Sequence, residues 1–322
     1  MKFSVIIPTR SMNDYIKEAM PYFQKQTFKD FEIIIVSEEK IKVDGAKNIL
    51  VGKIPPSGKR NRGVKEAKGE IIAFIDDDAY PDERWLEIAN KIFEDEKIVA
   101  VGGPSLVPKN AIFFQRVSNK VYELSSGKTG IRYCQSKARE IDDWPTCNFF
   151  VRKNAFLETK GFDEKYWGGE DTQLCYSLTG KKIYSPHIII YHHPRKDIGK
   201  HLKQTFFWGM WRGFFMRIHK QSRHLSFFIP ALFVLWIALG GLMTIIAKPV
   251  GYLYAVSLVA YLGYLIFLGI KAGKLFFPVI VTTFLTHIAY GLGFLRGISS
   301  KNAPTKKTLN PAEAINIKAK SG

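Results

Sequence analysis

The sequence predicts an α/β domain followed by an α-helical membrane region. Three observations carry that expectation. Strand-like residues 2–8 (KFSVIIP), a helical spacing over 14–26 and strand-like residues 31–36 (FEIIIV) follow one another. Such a βαβ unit, about 36 residues long, fixes parallel strands and a right-handed crossover. Residues 71–75 (IIAFI) form a continuous apolar run, the pattern of a strand buried on both faces of a parallel sheet. From Leu225 onward the composition changes to three long apolar stretches, 225–247, 249–270 and 275–295. Each is long enough to cross a bilayer.

Taken in order, the first strand ends at Pro8 and a polar turn through Asn13, with Thr9 at its mouth. The first helix carries Tyr15, Ile16, Ala19, Met20 and Phe23 at helical spacing, with Pro21 inside it. The second strand is closed by Ser37, Glu38 and Glu39, and residues 48–51 read as a short third strand. Residues 54–63 (IPPSGKRNRG) combine turn formers with Lys59, Arg60 and Arg62. They read as a basic loop feeding a helix that starts near Asn61, where a helix N-terminus favours anions.

Asp76, Asp77 and Asp78 then stand at the C-terminal end of the strand 71–75. Ligands in open α/β sheets bind outside the carboxyl ends of the strands. Three adjacent carboxylates repel one another unless a cation or donor groups neutralise them. Oxygen ligands of this kind suit Mg²⁺ or Mn²⁺ shared with substrate phosphates. From these residues alone, a solvated acidic turn reads equally well. An amphipathic helix over 82–94 and a strand over 98–101 follow. Further on, Gly168 and Gly169 precede Glu170 and Asp171, acids that suit the start of a helix through Ser177. A strand over 188–191 leads into His192 and His193.

The formal net charge of +18 calls for an anionic partner. Its distribution favours lipid over nucleic acid. Residues 195–223 hold eight Lys and Arg against Asp197 alone, immediately before the first apolar stretch. Three cysteines (Cys134, Cys147, Cys175) make an odd number at spacings unlike a zinc site, which argues against a disulfide framework as well. Cys147 reads as a small buried residue. Met1 and Lys2 lead directly into the first strand, so no signal peptide is expected, and the catalytic part is expected in the cytoplasm.

The ordered segments "SVIIPT", "FEIIIVSE" and "GKRNRGVKEAKGEIIAFIDDDAYPDERWL" resemble the nucleotide-binding half of family 2 glycosyltransferases of GT-A fold. The segment "CNFFVRKNAFLETKGFDEKYWGGEDTQLCYSLTGKKIYSPHIIIYHH" is similar to the acceptor half, and together they cover about two-thirds of the chain. The resemblance implies a Rossmann-like mixed sheet over residues 1–200 and a divalent metal, Mg²⁺ or Mn²⁺, at Asp78 with Asp76. Asp76 or Asp77 would contact the nucleotide of a nucleotide-diphosphate sugar. Pro8 and Thr9 match the first substrate loop, and Glu38 stands where the family usually has an aspartate reading the uracil edge. Lys59, Arg60 and Asn61 match the basic loop beside base and diphosphate; Asn148 and Arg152 match positions near the acceptor and donor sugar. Asp171, with Glu170, is implied as the base that deprotonates the acceptor in an inverting displacement, and His193 as facing the metal or diphosphate.

Many membrane-bound relatives carry Gln-x-x-Arg-Trp after this histidine. Here Gln204 and Trp208 stand, but Phe207 replaces the Arg, which points away from processive polymer synthesis. Residues 201–224, with aromatics interleaved between Arg212 and Arg217, are expected to lie flat at a membrane interface and present the site to a lipid-linked or envelope-glycan acceptor. Residues 225–296 would form two or three membrane helices of a cell-membrane protein, and 297–322 a basic disordered tail. That tail suits the cytoplasmic side, so either 275–295, with its Pro278, Thr282, Thr283, Thr286 and His287, is re-entrant or interfacial, or the positive-inside rule fails here. The other readings are a polyprenyl-phosphate sugar synthase, whose anionic acceptor needs no base, and a membrane-bound nucleotide-sugar binding module without turnover.

Overall fold

A computed structural model describes residues 1–304 except 224 and 247. The expected tail from 305 on lies outside the described residues. The chain forms two compact units, Met1–Ala111 with Lys128–His193, and Ile112–Gly127 with the residues from Pro194 on. The sequence reading puts residues 1–200 in one domain, followed by a juxtamembrane segment over 201–224 and a membrane region over 225–296. Instead the segment 112–127 leaves the first unit and belongs to the second.

In the first unit the strands are β1 (Phe3–Pro8), β2 (Phe31–Ser37), β3 (Ala46–Leu50), β4 (Ile71–Ile75), β5 (Ala79–Pro81), β6 (Ile98–Gly102), β7 (Ser105–Leu106), β8 (Arg139–Glu140), β9 (Asn148–Arg152), β10 (Lys181–Tyr184) and β11 (Ile190–His192). The main sheet runs β3-β2-β1-β4-β9-β6-β10-β8, and a small one runs β5-β11-β7. β3, β2, β1 and β4 are parallel, whereas β9 is antiparallel to both β4 and β6. The sheet is therefore mixed. Its apolar runs are needed because both faces are covered. Phe3, Val5, Ile7, Ile33, Ile35, Ala73 and Phe150 meet α1 (Asp14–Gln24) and α3 (Trp85–Ile92) on one face. Ile6, Ile34, Ile72, Phe74 and Val151 meet α2 (Pro56–Glu66), α5 (Lys153–Glu158) and α6 (Glu170–Ser177) on the other.

The remaining helix of this stretch, α4 (Phe113–Ser125), is part of the second unit with α7 (Ile198–Ile218), α8 (Ile229–Ile246), α9 (Lys248–Ala272) and α10 (Phe276–Ser299). α7 does not lie free as an interfacial helix. It runs parallel to α10 with the two backbones in contact at four glycines. A Cβ on Gly209 would sit 2.2 Å from Tyr290 O, and one on Gly213 2.3 Å from Phe294 O. Reciprocally, a Cβ on Gly293 would sit 2.0 Å from Phe206 O, and one on Gly297 1.9 Å from Met210 O. Both helices thus present glycines four residues apart, the spacing that lets helices pack at backbone distance. The threonines that set residues 275–295 apart are packing residues too, since Thr282, Thr283 and Thr286 are buried in a continuous helix.

A polar cluster ties three of these helices together. His201 on α7 is fully buried, with Nδ1 2.8 Å from Ser118 Oγ on α4 and Nε2 2.8 Å from Thr286 Oγ1 on α10. Its ring stacks on Tyr122 at 4.7 Å. Val117 and Val121 of α4 pack against Val279 of α10. By contrast, Leu232, Leu235, Leu239 and Leu242 of α8 and Leu253, Val256, Val259, Phe267 and Ile270 of α9 are exposed. Two stretches, Leu225–Ile245 and Lys248–Ser299, are long and apolar enough to cross a membrane.

Candidate active site

Parallel β2, β1 and β4 lie side by side, so Glu38, Thr9 and Asp76 all follow the carboxyl ends of neighbouring strands. That is where the fold places ligands. The three consecutive aspartates divide their work. Asp77 accepts from Thr9 Oγ1 at 2.5 Å and from Asn13 Nδ2 at 2.9 Å, which fastens the turn after β1. Burial pushes its carboxyl above the ordinary range, against the pull of the Thr9 bond. Asp76 Oδ1 pairs with Arg60 Nη2 at 2.8 Å. Asp78 Oδ1 lies 3.2 Å from His192 Nε2.

The basic stretch is not a loop. Pro56 sits at the first helical position, where a missing N–H costs nothing, and α2 starts five residues before Asn61. Lys59 and Arg60 therefore project from the helix's buried face. Gly63 lets that face lie close on β1, because a Cβ there would be 2.6 Å from Ile6 Cγ2. Lys59 Nζ donates to Thr9 O at 2.6 Å and to Glu38 Oε1 at 2.8 Å. It braces the mouth of the site and neutralises Glu38. Arg60, almost fully buried, also pairs through Nη1 with Glu170 Oε1 at 2.9 Å, so one guanidinium joins the Asp76 and Glu170 halves of the site.

Glu170 and Asp171 open α6 after Gly169, whose φ of +72° is a left-handed conformation that favours glycine. Burial pushes the Glu170 carboxyl up to about 7, with Arg60 pulling the other way. Asp171 is raised by burial too, opposed by the Thr172 backbone N–H and by Arg132. Asp171 Oδ1 accepts from Thr172 N at 2.8 Å, a local bond that is its sole side-chain hydrogen bond among the described residues. Glu170 is committed to Arg60. Asp171 is not committed to any distant partner, and burial keeps it a stronger base than an ordinary aspartate.

Four expected positions are placed elsewhere. His193 Nε2 lies 2.8 Å from Glu18 Oε2, and its ring packs on Tyr15 at 4.6 Å. His193 N donates to Asp78 O at 3.0 Å, but successive side chains point to opposite faces, so the imidazole beside the Asp78 carboxylate is that of His192. Asn148 is fully buried as a structural node: its Oδ1 accepts from Trp85 Nε1 at 2.9 Å, and its Nδ2 donates to Pro104 O at 3.0 Å and Ile188 O at 2.8 Å. Arg152 ends β9, opposite the first residue of β4, and donates to the carbonyls of Ile98, Phe93 and Asp95. Because β9 runs antiparallel to β4, four residues of strand, about 13 Å, carry it to the far edge of the sheet. Asn61 holds Phe162 through both its carbonyl and its amide, which pins the 161–164 turn. Asn13, His192, Arg132 and Asp143 belong near the site and were not singled out as site residues.

Asn148→Ala is expected to destabilise the first unit by about 3 kcal/mol, since three buried groups lose their partner. Urea unfolding followed by tryptophan fluorescence checks this. Cys147 is half-buried, where a buried residue was expected; its Sγ lies 3.2 Å from Ser105 Oγ, and desolvation holds its thiol well above the ordinary range.

Asp78 Oδ1 and His192 Nε2, 3.2 Å apart at the strand end, are side chains that could take part in holding a divalent cation. Among the described residues there is no group of three or more His, Cys, Asp or Glu side chains that could hold a metal ion.

The model of the Glycosyl transferase family 2 matches residues 53–159. The GalNAc(5)-diNAcBac-PP-undecaprenol beta-1,3-glucosyltransferase of Campylobacter jejuni is 28% identical over 202 residues, 57% of this chain and 62% of that protein. This chain thus aligns with less than two-thirds of that relative's length. The dolichyl N-acetyl-alpha-D-glucosaminyl phosphate 3-beta-D-2,3-diacetamido-2,3-dideoxy-beta-D-glucuronosyltransferase of Methanococcus voltae is 25% identical over 331 residues, covering 94% of this chain and 99% of that protein. In fold, the chain is similar to the mannosyltransferase PcManGT from Pyrobaculum calidifontis, solved with GDP-Man and Mn²⁺. The TM-score is 0.63 at 15% identity, over 94% of this chain and 88% of that one.

Proposed function

We propose that this chain, which carries a glycosyltransferase family 2 domain of GT-A fold, moves a sugar from a nucleotide-diphosphate donor to a hydroxyl of a lipid-linked glycan, with inversion. The observation that carries this reading is the pairing, across Arg60, of a cation-competent strand end with a buried carboxylate pair. Asp78 and His192 would hold Mg²⁺ or Mn²⁺, which neutralises the departing diphosphate when bound. Asp171 takes the proton of the acceptor hydroxyl as that oxygen bonds to the sugar C1 and the bond from C1 to the diphosphate oxygen breaks. The nucleoside diphosphate leaves on the opposite face. Glu38, held by Lys59, and the turn fastened by Asp77 line the nucleotide side. Arg60 keeps Glu170 and Asp76 in register with one another.

A buried base favours a hydroxyl acceptor over an anionic phosphate, which already carries its charge. The undecaprenol and dolichyl names of the relatives support a lipid carrier. The exposed apolar faces of α8 and α9 and the basic run before them support membrane attachment with the first unit on the cytoplasmic side.

The test is release of nucleoside diphosphate from a panel of UDP- and GDP-sugars with added Mn²⁺. A binding module releases none. Within that assay, His192→Ala is expected to raise the Mn²⁺ requirement by more than the ~10–100-fold that loss of an outer-sphere partner costs. His193→Ala should leave it unchanged. The reverse pattern would return the metal-facing role to His193.

A further inference from the structure

Beside the base stands a carboxylate that the proposed transfer does not use. Asp143 Oδ2 accepts from Thr172 Oγ1 at 3.0 Å, and Asp143 Oδ1 accepts from Arg132 Nη2 at 3.1 Å. Thr172 N in turn donates to Asp171 Oδ1 at 2.8 Å. A single residue therefore gives its amide to Asp171 and its hydroxyl to Asp143. Arg132 is ordered as well, its guanidinium lying 5.4 Å over the Trp144 ring. Trp144 is buried and donates through Nε1 to Gly103 O at 3.1 Å, just past the end of β6. The connection runs without a gap from the sheet through Trp144, Arg132, Asp143 and Thr172 to Asp171.

We propose that Asp143, held by Arg132, is a positioning residue that aims the Asp171 carboxylate by fixing Thr172 in the first turn of α6. The inference rests on the reading of Asp171 as the base. A hydrogen-bonded carboxylate on Thr172 is not needed to build α6, because the helix is already anchored by buried Leu174 and Cys175 and started by Gly169.

Charge acts in the same place. Besides burial, the groups that face Asp171 are Arg132 and Arg60, which lower its pKa, and Asp143, which raises it; Glu170 adjoins it in sequence. Removing the Asp143 charge leaves Arg132 and Arg60 without that opposition, so Asp171 gives up its proton at lower pH. Its deprotonated form is the active one, so the rise of rate with pH moves to lower pH. A weaker, less well aimed base also turns over more slowly once fully deprotonated.

The experiment uses the full chain in lipid vesicles and follows nucleoside diphosphate release from UDP- and GDP-sugars with Mn²⁺ between about pH 5 and about pH 9. For Asp143→Asn the expected result is a rising limb of kcat/KM displaced downward by about one pH unit, equivalent to about tenfold in proton affinity. Plateau kcat should fall about tenfold at unchanged donor KM. Thr172→Val should reproduce the loss of plateau rate, and Thr172→Ser should restore it. A wild-type limb and plateau in both Asp143→Asn and Thr172→Val would overturn the inference. So would a loss of kcat matched by a loss of donor binding, which is the mark of a damaged fold. Wild-type turnover by Asp171→Asn would remove the base reading itself, a result that Asp143→Asn alone cannot produce.

Discussion

Asp171→Asn is expected to lower the rate of sugar transfer by about 10²–10⁴-fold, the range lost with a general base. Donor affinity should change by no more than about twofold, because the proposed donor contacts lie across Arg60 on the β4 side. The asparagine keeps the size of the side chain and can still accept from Thr172 N, so the fold is preserved. Isothermal titration with donor and Mn²⁺ separates binding from turnover, and single-turnover kinetics locates the loss in the chemical step. Equal losses of binding and rate would place Asp171 among the donor contacts. The acid limb of the wild-type rate profile should lie well above that of an ordinary carboxylate, because burial raises both acids of the pair. Rate should therefore climb as the base loses its proton, at higher pH than an ordinary aspartate would give.

The second large effect belongs to the helical unit. Gly293→Leu or Gly297→Leu sets a side chain where the α7 backbone carbonyls stand, at 2.0 Å and 1.9 Å from the first added carbon. Backbone cannot swing aside as the end of a flexible side chain can, so α7 must separate from α10. The expected cost is about 3 kcal/mol or more, at the upper end of overpacking. Gly241→Leu is the control, since nothing lies within 4 Å of the position where its Cβ would be. Resistance to protease in detergent should fall for the first two variants and hold for the third. A stable Gly297→Leu protein would mean that α7 and α10 are not packed backbone to backbone.

Much of this molecule can be read from its residues. The βαβ start, the buried run before Asp76 and the acid pair at a helix start are each local patterns, and local patterns survive folding. The failures share a cause, which is that facing is decided by tertiary contact. His192 and His193 must point opposite ways in a strand, but the sequence does not say which faces the site. Asn148 and Arg152 flank an apolar core strand and look functional, yet Asn148, opposite Ile75, spends its amide on Trp85, Pro104 and Ile188, and the antiparallel direction of β9 carries Arg152 to the far edge. Lys59 and Arg60 look like loop residues because Pro55, Pro56 and Gly58 surround them, although Pro at a helix start is an ordinary beginning. Asp143 and Arg132 carry no motif, and only the three-dimensional neighbourhood of Thr172 brings them to notice. In α10 the threonines read as interruptions of an apolar span, whereas they are buried packing residues, Thr286 meeting His201 of α7.

The excursion of α4 makes the two units inseparable as stretches of chain. The polypeptide passes between them three times, after Ala111, after Gly127 and after His193. A fragment cut at the end of the catalytic sequence would keep α4 but lose its seat, leaving Val117, Val121 and the hydroxyl of Ser118 without the α7 and α10 groups that cover them. Removing the helices after His193 would therefore require residues 112–127 to be replaced by a short polar bridge in the same step. Exchange of the second unit between related proteins faces the same arithmetic: the recipient must accept an internal helix together with the C-terminal ones.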